Sequence, residues 1–418
     1  MLYIDVLVGL TPCAVPQSNL QYARDEDGNE RVVNTPNTQL LRYVYGPLDA
    51  IDRLVFVQRA DVTFREPFSG HTALHVAARV GSEQHALRLL EYGAPWNQID
   101  NEDLTPGEVA LNEGHEECYK VIYNFAIELE YRIWFNPALS YDSNPYLKGS
   151  LSNLSLRVSN EQYLKSSVTF RNPQSEIPDE VAMIYDDTGV MMEWERPLMK
   201  ESARILCENM GKGKAILNIG FGLGIIDSYF QSYEPANHTI IEGHPQCLEY
   251  MRINGWYDKP NVRILEGSWR DFIGSRARKD IKWPTNGAGE KMEGLGTFDV
   301  IYFDTFNESY GGHLGFLQCL RGLVSGPSAR FSFFHGHNHA WKMGYEVYTE
   351  VATMHANDFG FSTTWTEFGI DADTVWTEIK DGQIRRATRG EKQTLYNIPL
   401  SVLAPTVPKR VVNPVFAQ

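Results

Sequence analysis

Apolar runs of strand length recur along the second half of the chain, separated by stretches with helical spacing. AILNIGFG (215–222), HTIIEGH (238–244), NVRILEGS (261–268), TFDVIYFDTF (297–306) and ARFSFFHGH (329–337) are the predicted strands. Their near-continuous apolar character predicts parallel strands covered by helices on both faces, an α/β architecture. The polar, Gly-rich segment 274–296 interrupts the pattern and reads as a solvated insertion between two strands.

Before residue 130 the periodicity is different. Thr72, Ala77 and Gly81 recur as Thr105, Ala110 and Gly114, each pair 33 residues apart. That interval is the ankyrin period, and HTALHVAA (71–78) follows the repeat consensus T-P-L-H-x-A, with Ala73 in place of Pro. Two repeats are clear, and QRADVTFRE (58–66) reads as the tail of an earlier, degenerate one. So few repeats cannot bury a core alone, which predicts that they lean on the rest of the protein. Pro, Asn and Ser enrichment after NFAIELEYRIWF marks a boundary near 140–155. The predicted organisation is an extension over 1–54 that can hold a degenerate repeat, repeats over 55–130, a linker over 131–159 and an α/β domain over 160–410.

The formal net charge of -15 argues against binding a nucleic-acid backbone and suits a basic partner. The 5 cysteines are scattered without a CxxC pair and read as reduced thiols. No apolar run reaches the length of a membrane span. The opening MLYIDVLVGL carries Asp5 and lacks a basic start, so it reads as a strand or irregular segment rather than a signal peptide. Elimination leaves a cytoplasmic or nuclear location as the expectation.

The sharpest chemical signal is LNIGFGLGIID (217–227). Gly220, Gly222 and Gly224 end an apolar strand and open a helix, where backbone N–H groups meet a ligand closely. Glu242 follows 20 residues after Gly222, at the end of the next strand, where a carboxylate can hold ribose hydroxyls. A dinucleotide loop calls for glycine at position 225, which here is Ile225. The spacing therefore favours S-adenosylmethionine over NAD. Glu266, Gly267, Ser268 and Trp269 follow the third strand, where an acid and an aromatic can grip adenine; Trp269 can equally be core.

The fourth strand ends in Asp304, facing the ligand crevice of such a sheet. A carboxylate there can fork onto a guanidinium and take its proton, which methylation of so weak a nucleophile requires. Capping a helix is the plainer alternative. Upstream, Glu193 and Glu195 flank Trp194, and Glu195 can supply a second carboxylate, although nearby Arg196 can pair with either acid. His335, His337 and His339 alternate, so a metal site is conceivable; a substrate-loop or surface role is preferred, and no metal is predicted.

These segments resemble the fungal-type protein arginine methyltransferases that act on the internal (δ) guanidino nitrogen. Their catalytic domain is similar to guanidinoacetate N-methyltransferase, and they carry ankyrin-like repeats. The matching stretches are YLKSSVTF (163–170), GVMMEWERPLM (189–199), LNIGFGLGIID, IIEGHP (240–245), EGSW (266–269), FDVIYFDTF (298–306), FSFFHG (331–336), YEVYTEV (345–351) and YNIPLSV (396–402). The resemblance implies a Rossmann-like class I methyltransferase sheet behind the repeats, with S-adenosylmethionine as cofactor. It assigns Gly220, Phe221, Gly222, Gly224, Glu242, Glu266, Gly267 and Trp269 to the cofactor, with Met191 and Trp194 shaping the pocket and Tyr163 closing over it. Glu195 and Asp304 clamp the guanidino group in this reading, Asp304 being the base. The chain departs from the family at Gly243, Ser268 and His335, the last on the substrate side. The expected acceptor is arginine in a protein, with a small guanidino metabolite as the alternative. From another class, an ankyrin adaptor with an inactive methyltransferase domain competes. The repeats can contact a protein; neither nucleic acid nor membrane is expected as a partner.

Overall fold

The computed structural model describes residues 22–24, 30–32, 35–133, 160–171, 182–185, 188–274, 294–336, 342–371, 376–380, 383–386 and 393–405. Most of the 274–296 insertion, with His337 and His339, lies outside them. The described residues form two units. One holds 22–133 with 342–352, the other 160–336 with 353–405.

In the first unit the repeat spacing becomes helix capping. A short hairpin, β1 (Tyr22–Arg24) and β2 (Glu30–Val32), precedes α1 (Pro36–Tyr43) and α2 (Leu48–Asp52). Helices α3 (Ala73–Val80), α4 (Glu83–Glu91), α5 (Pro106–Asn112) and α6 (Glu116–Ile133) follow. Thr72 caps α3 and Thr105 caps α5, each in a reciprocal box with the residue three positions on. His75 shows how one repeat holds the next. Its Nδ1 accepts the Thr72 N–H at 3.1 Å, and its Nε2 reaches the Leu104 carbonyl at 3.1 Å. Burial pushes the His75 pKa down to about 4, so the ring is neutral at pH 7 and can accept at one nitrogen while donating at the other.

Residues 342–352 complete this unit. The Tyr348 hydroxyl donates to Glu130 Oε2 at 2.9 Å, and Trp96 Nε1 donates to Glu130 Oε1 at 3.0 Å. Tyr119 donates to Glu346 at 2.8 Å. Glu130 is fully buried. A buried carboxylate is tolerable only with such donors around it. The short stack thus leans on a segment from far along the chain, as its small number of repeats predicts.

The second unit begins with α7 (Asn160–Leu164), β3 (Thr169–Arg171), β4 (Ala182–Tyr185), β5 (Thr188–Met192) and α8 (Arg196–Cys207). Then come β6 (Ala215–Ile219), α9 (Ile225–Ser232), β7 (Asn237–Glu242), α10 (Pro245–Ile253), β8 (Val262–Glu266) and α11 (Trp269–Phe272). They are followed by β9 (Val300–Phe303), α12 (Tyr310–Leu320), β10 (Arg330–Phe333) and α13 (Lys342–Asp358), the last shared with the first unit. Strands β11 (Phe361–Asp371), β12 (Trp376–Lys380), β13 (Gln383–Arg386) and β14 (Gln393–Leu403) close the chain.

The main sheet runs in the order β11-β14-β10-β9-β6-β7-β8. The five strands read from the apolar runs are its parallel part. β14 pairs antiparallel with both β10 and β11. Ile216, Ile225, Phe230, Val300 and Tyr302 belong to one apolar cluster, and Phe221, Ile240, Leu248, Met251 and Trp256 to another. A second, antiparallel sheet (β13-β12-β5-β4-β3) carries the strand that leads into Glu193–Glu195. Strand β6 has β7 on one side and β9 on the other, so the connections leaving its carboxyl end diverge and open a crevice there.

Candidate active site

A cleft opens at the carboxyl ends of β6, β7 and β9. Its floor is the turn after β6. Gly220 takes φ +90°, and a Cβ built on it would lie 1.8 Å from the Asp304 carbonyl oxygen. The two strand ends therefore meet backbone against backbone, which only glycine permits. The turn is tied down on both sides: the Gly220 N–H donates to Ile241 O at 2.9 Å, and the Asp304 N–H to Ile219 O at 2.9 Å.

Glu242 ends β7 and lines the cleft. Its Oε2 accepts the Phe221 N–H at 2.9 Å and its Oε1 the His244 N–H at 2.6 Å. Burial raises its pKa, and the backbone donors oppose that shift. Each carboxylate oxygen carries two lone pairs, so capacity remains for a ligand hydroxyl. Gly267, Ser268 and Trp269 form another wall. Trp269 packs on Phe303 and Phe316 and donates to Glu308 at 3.1 Å, so it serves both core and wall.

A roof comes from α7. Tyr163 lines the cleft with its ring centroid 4.9 Å from Phe306 and 4.9 Å from His244. Asn160 Nδ2 donates to the Phe306 carbonyl at 2.7 Å. Met191 supplies a thioether that accepts the Leu223 N–H at 3.2 Å.

The two expected substrate carboxylates sit differently, and Glu195 is not among the residues that line the cleft. Asp304 lines the cleft, and burial, then the charge of Asp227, pushes its pKa up to about 7. Glu195 is buried where a short 3-10 turn meets α8. Burial first, and the charge of Asp304 second, hold its pKa well above the usual carboxylate range. The nearby Glu193 takes the ion pair with Arg196, which leaves Glu195 for the interior.

Several sequence-based site residues fall elsewhere. Glu266 is half exposed and outside the cleft lining; it accepts from Arg252 at 2.6 Å and Tyr257 at 2.7 Å. The Phe221 ring turns into the apolar cluster around Trp256, and only its N–H serves the loop. Gly224 caps α9 behind the lining residues. Trp194 packs on Tyr396, and His335 is 3% exposed between Phe333 and Trp365. Neither lines the cleft. Missed in the sequence were Asn160, Val190, Thr305 and Phe306, which all line it. Thr305 and Phe306 follow Asp304 directly, and that adjacency was the available signal.

A parallel sheet with a glycine turn at its switch point, a carboxylate ending the next strand and a second at the strand beside it together define a Rossmann-like methyltransferase. Residues 171–282 match the family model "Guanidinoacetate N-methyltransferase", and residues 42–132 match "Ankyrin repeats (3 copies)". A protein arginine N-methyltransferase 2 of Cryptococcus neoformans is 31% identical over 343 residues, 78% of this chain and 86% of that protein. That of Saccharomyces cerevisiae is 31% identical over 360 residues, 77% and 84% of the two chains. That of Aspergillus oryzae is 29% identical over 380 residues, 76% and 86%. The chain belongs to the protein arginine N-methyltransferase 2 family. It is an N-methyltransferase, and its family and fold imply S-adenosylmethionine as methyl donor. No helix among the described residues is long and apolar enough to cross a membrane.

Proposed function

We propose that this enzyme methylates the δ nitrogen of arginine side chains in a protein. The observation that carries this reading is Asp304, a partly buried carboxylate with raised proton affinity in a cleft whose floor is a glycine turn, together with the buried Glu195 behind the lining, close enough for the Asp304 charge to raise its proton affinity as well. Burial and neighbouring negative charge favour the protonated form of such carboxylates until a cation arrives. A guanidinium supplies that cation in planar, multidentate form.

The residues present fit the cofactor. The Gly220 turn admits close approach, Glu242 keeps acceptor capacity at a strand end, and the Thr305 hydroxyl is buried in the cleft wall without a protein partner. Gly220, Gly222, Glu242, Gly267, Trp269, Met191 and Tyr163 would hold S-adenosylmethionine, which supplies an electrophilic methyl group on a positively charged sulfur. Glu195 and Asp304 would orient the guanidinium so that one nitrogen faces that methyl. Asp304 would take the proton that the guanidino nitrogen loses on methylation. Fixing both reactants in one geometry supplies much of the acceleration. The net charge of -15 suits a basic protein substrate, and the ankyrin unit is the natural element for protein contact.

The test is methyl transfer from labelled S-adenosylmethionine to a cell extract and, separately, to free arginine, guanidinoacetate and related guanidines. The expected result is label in a protein, traced by fragmentation to the δ nitrogen of arginine. Label only in a small guanidine moves the enzyme to a metabolite. Cofactor binding without transfer to any guanidine overturns the reading and favours an adaptor role.

A further inference from the structure

Beneath the glycine turn lies a polar network set back from the cleft lining. Asn218 on β6, Asp227 on α9 and His238 on β7 are each fully buried. Gln231 Nε2 meets His238 Nδ1 at 2.8 Å, and His238 Nε2 lies 3.0 Å from Asp227 Oδ1. Asn218 Nδ2 donates to both Asp227 oxygens at 2.9 Å and to the Gly220 carbonyl at 2.8 Å. The donors and acceptors fix the arrangement. With Gln231 donating to Nδ1, the His238 proton sits on Nε2, which lies near Asp227 Oδ1 without making a hydrogen bond to it. The Asn218 amide cannot flip, because its oxygen would then face a carboxylate and a carbonyl.

The network reaches a cleft-lining residue through the Gly220 carbonyl. That carbonyl and the Phe221 N–H belong to the same peptide group. Asn218 holds its oxygen at 2.8 Å, and Glu242 holds its N–H at 2.9 Å. The peptide is thus clamped at both ends, by a network on one side and by the strand-end carboxylate on the other. A buried carboxylate costs stability unless its partners compensate, and a hydrophobic residue would fill the space under α9 at less expense.

We infer that Asp227, acting through Asn218, is a positioning residue for the cofactor: it locks the Gly220–Phe221 peptide and so aims Glu242 and the glycine turn at the methyl donor. This rests on the cofactor reading above. Asp227 itself touches neither reactant. Its carboxylate orients the Asn218 amide, whose second hydrogen is then left to serve the Gly220 carbonyl.

The test compares D227N, N218S and the exchange variant N218D/D227N with the parent enzyme, measuring S-adenosylhomocysteine affinity by calorimetry, kcat at saturating S-adenosylmethionine, and Tm. D227N sets two amides against each other and is expected to weaken cofactor affinity about 10- to 100-fold. In N218S the Asp227–His238 pair stays while the bond to Gly220 is lost, so affinity should fall with a smaller loss of Tm. The exchange variant restores a hydrogen bond between positions 218 and 227 but leaves a carboxylate beside the Gly220 carbonyl. Its Tm should recover above that of D227N while its affinity stays weak. Affinity that recovers together with Tm, or a kcat loss with unchanged cofactor affinity, overturns the assignment. Should D227N fail to fold, N218S decides alone: parent-like affinity there overturns it. A parent enzyme that binds no S-adenosylhomocysteine would instead defeat the cofactor reading.

Discussion

Asp304→Asn is expected to lower kcat by about 10²- to 10⁴-fold, the range for removing a general base, while cofactor affinity stays within about twofold. The amide that replaces the carboxylate can neither take the proton nor offer a charged fork to a guanidinium. The fold should survive, and the sign of the stability change distinguishes this loss from damage. The Asp304 pKa is raised from 3.8 to about 7. The folded protein therefore keeps a proton there that the unfolded chain has given up. The associated stability is complete below pH about 3.8 and is lost as pH rises through about 7. Above that pH the parent enzyme buries a charge that the Asp304→Asn variant lacks. The variant's Tm at pH 8 should therefore equal or exceed the parent's. Parent kcat/KM should fall as pH drops through about 7, because the base is then protonated. Turnover that survives in the variant removes Asp304 from the role of base.

Gly220→Ala should have the other large effect. Its φ of +90° strains any L side chain, and the added carbon would lie 1.8 Å from a backbone oxygen that no rotamer can move. The strain alone is worth about 1–3 kcal/mol. Parting the ends of β6 and β9 also spoils the turn that meets the cofactor. The expectation is a loss of S-adenosylhomocysteine affinity of about 100-fold or more, with activity lost in parallel. Gly213→Ala is the control. Its φ is +76°, yet nothing lies within 4 Å of the added carbon. That variant should show a modest Tm loss and unchanged cofactor affinity. Equal behaviour of the two would mean that the Asp304 contact is irrelevant.

What could be read from the sequence was whatever is encoded locally. The five parallel strands announce themselves as apolar runs, and the capping threonines as a 33-residue interval. The glycine turn and Glu242 follow from spacing along one strand–helix–strand stretch. Side-chain direction was harder. Glu266 sits one residue before the wall-forming Gly267, yet it finds Arg252 and Tyr257 outside the cleft. His335 looked like a loop residue, and tertiary packing on Trp365 makes it core. Asp227, in the helical run IIDSYF, reads as an ordinary first-turn acid; only the fold brings His238 and Asn218 to it. The antiparallel sheet went unread because, although its β3–β4, β4–β5 and β12–β13 pairings are local, its two parts join only through the distant pairing of Thr188 with Glu378.

The most direct test of the central claim, that Glu195 and Asp304 form a receptor for a guanidinium cation, is a calorimetric titration. S-adenosylhomocysteine-bound enzyme at about pH 6.5, just below the Asp304 pKa of about 7, would be titrated with its arginine-bearing acceptor, in buffers that differ in ionisation heat. There the pair holds a proton, because the Glu195 pKa also lies well above its usual range. A guanidinium that binds between them should expel it. The predicted result is binding heat that varies with the buffer in the sense of proton release, and that loses this release in Asp304→Asn. Tight binding with heat independent of the buffer would contradict the account, since the cation would then be held without ionising the pair.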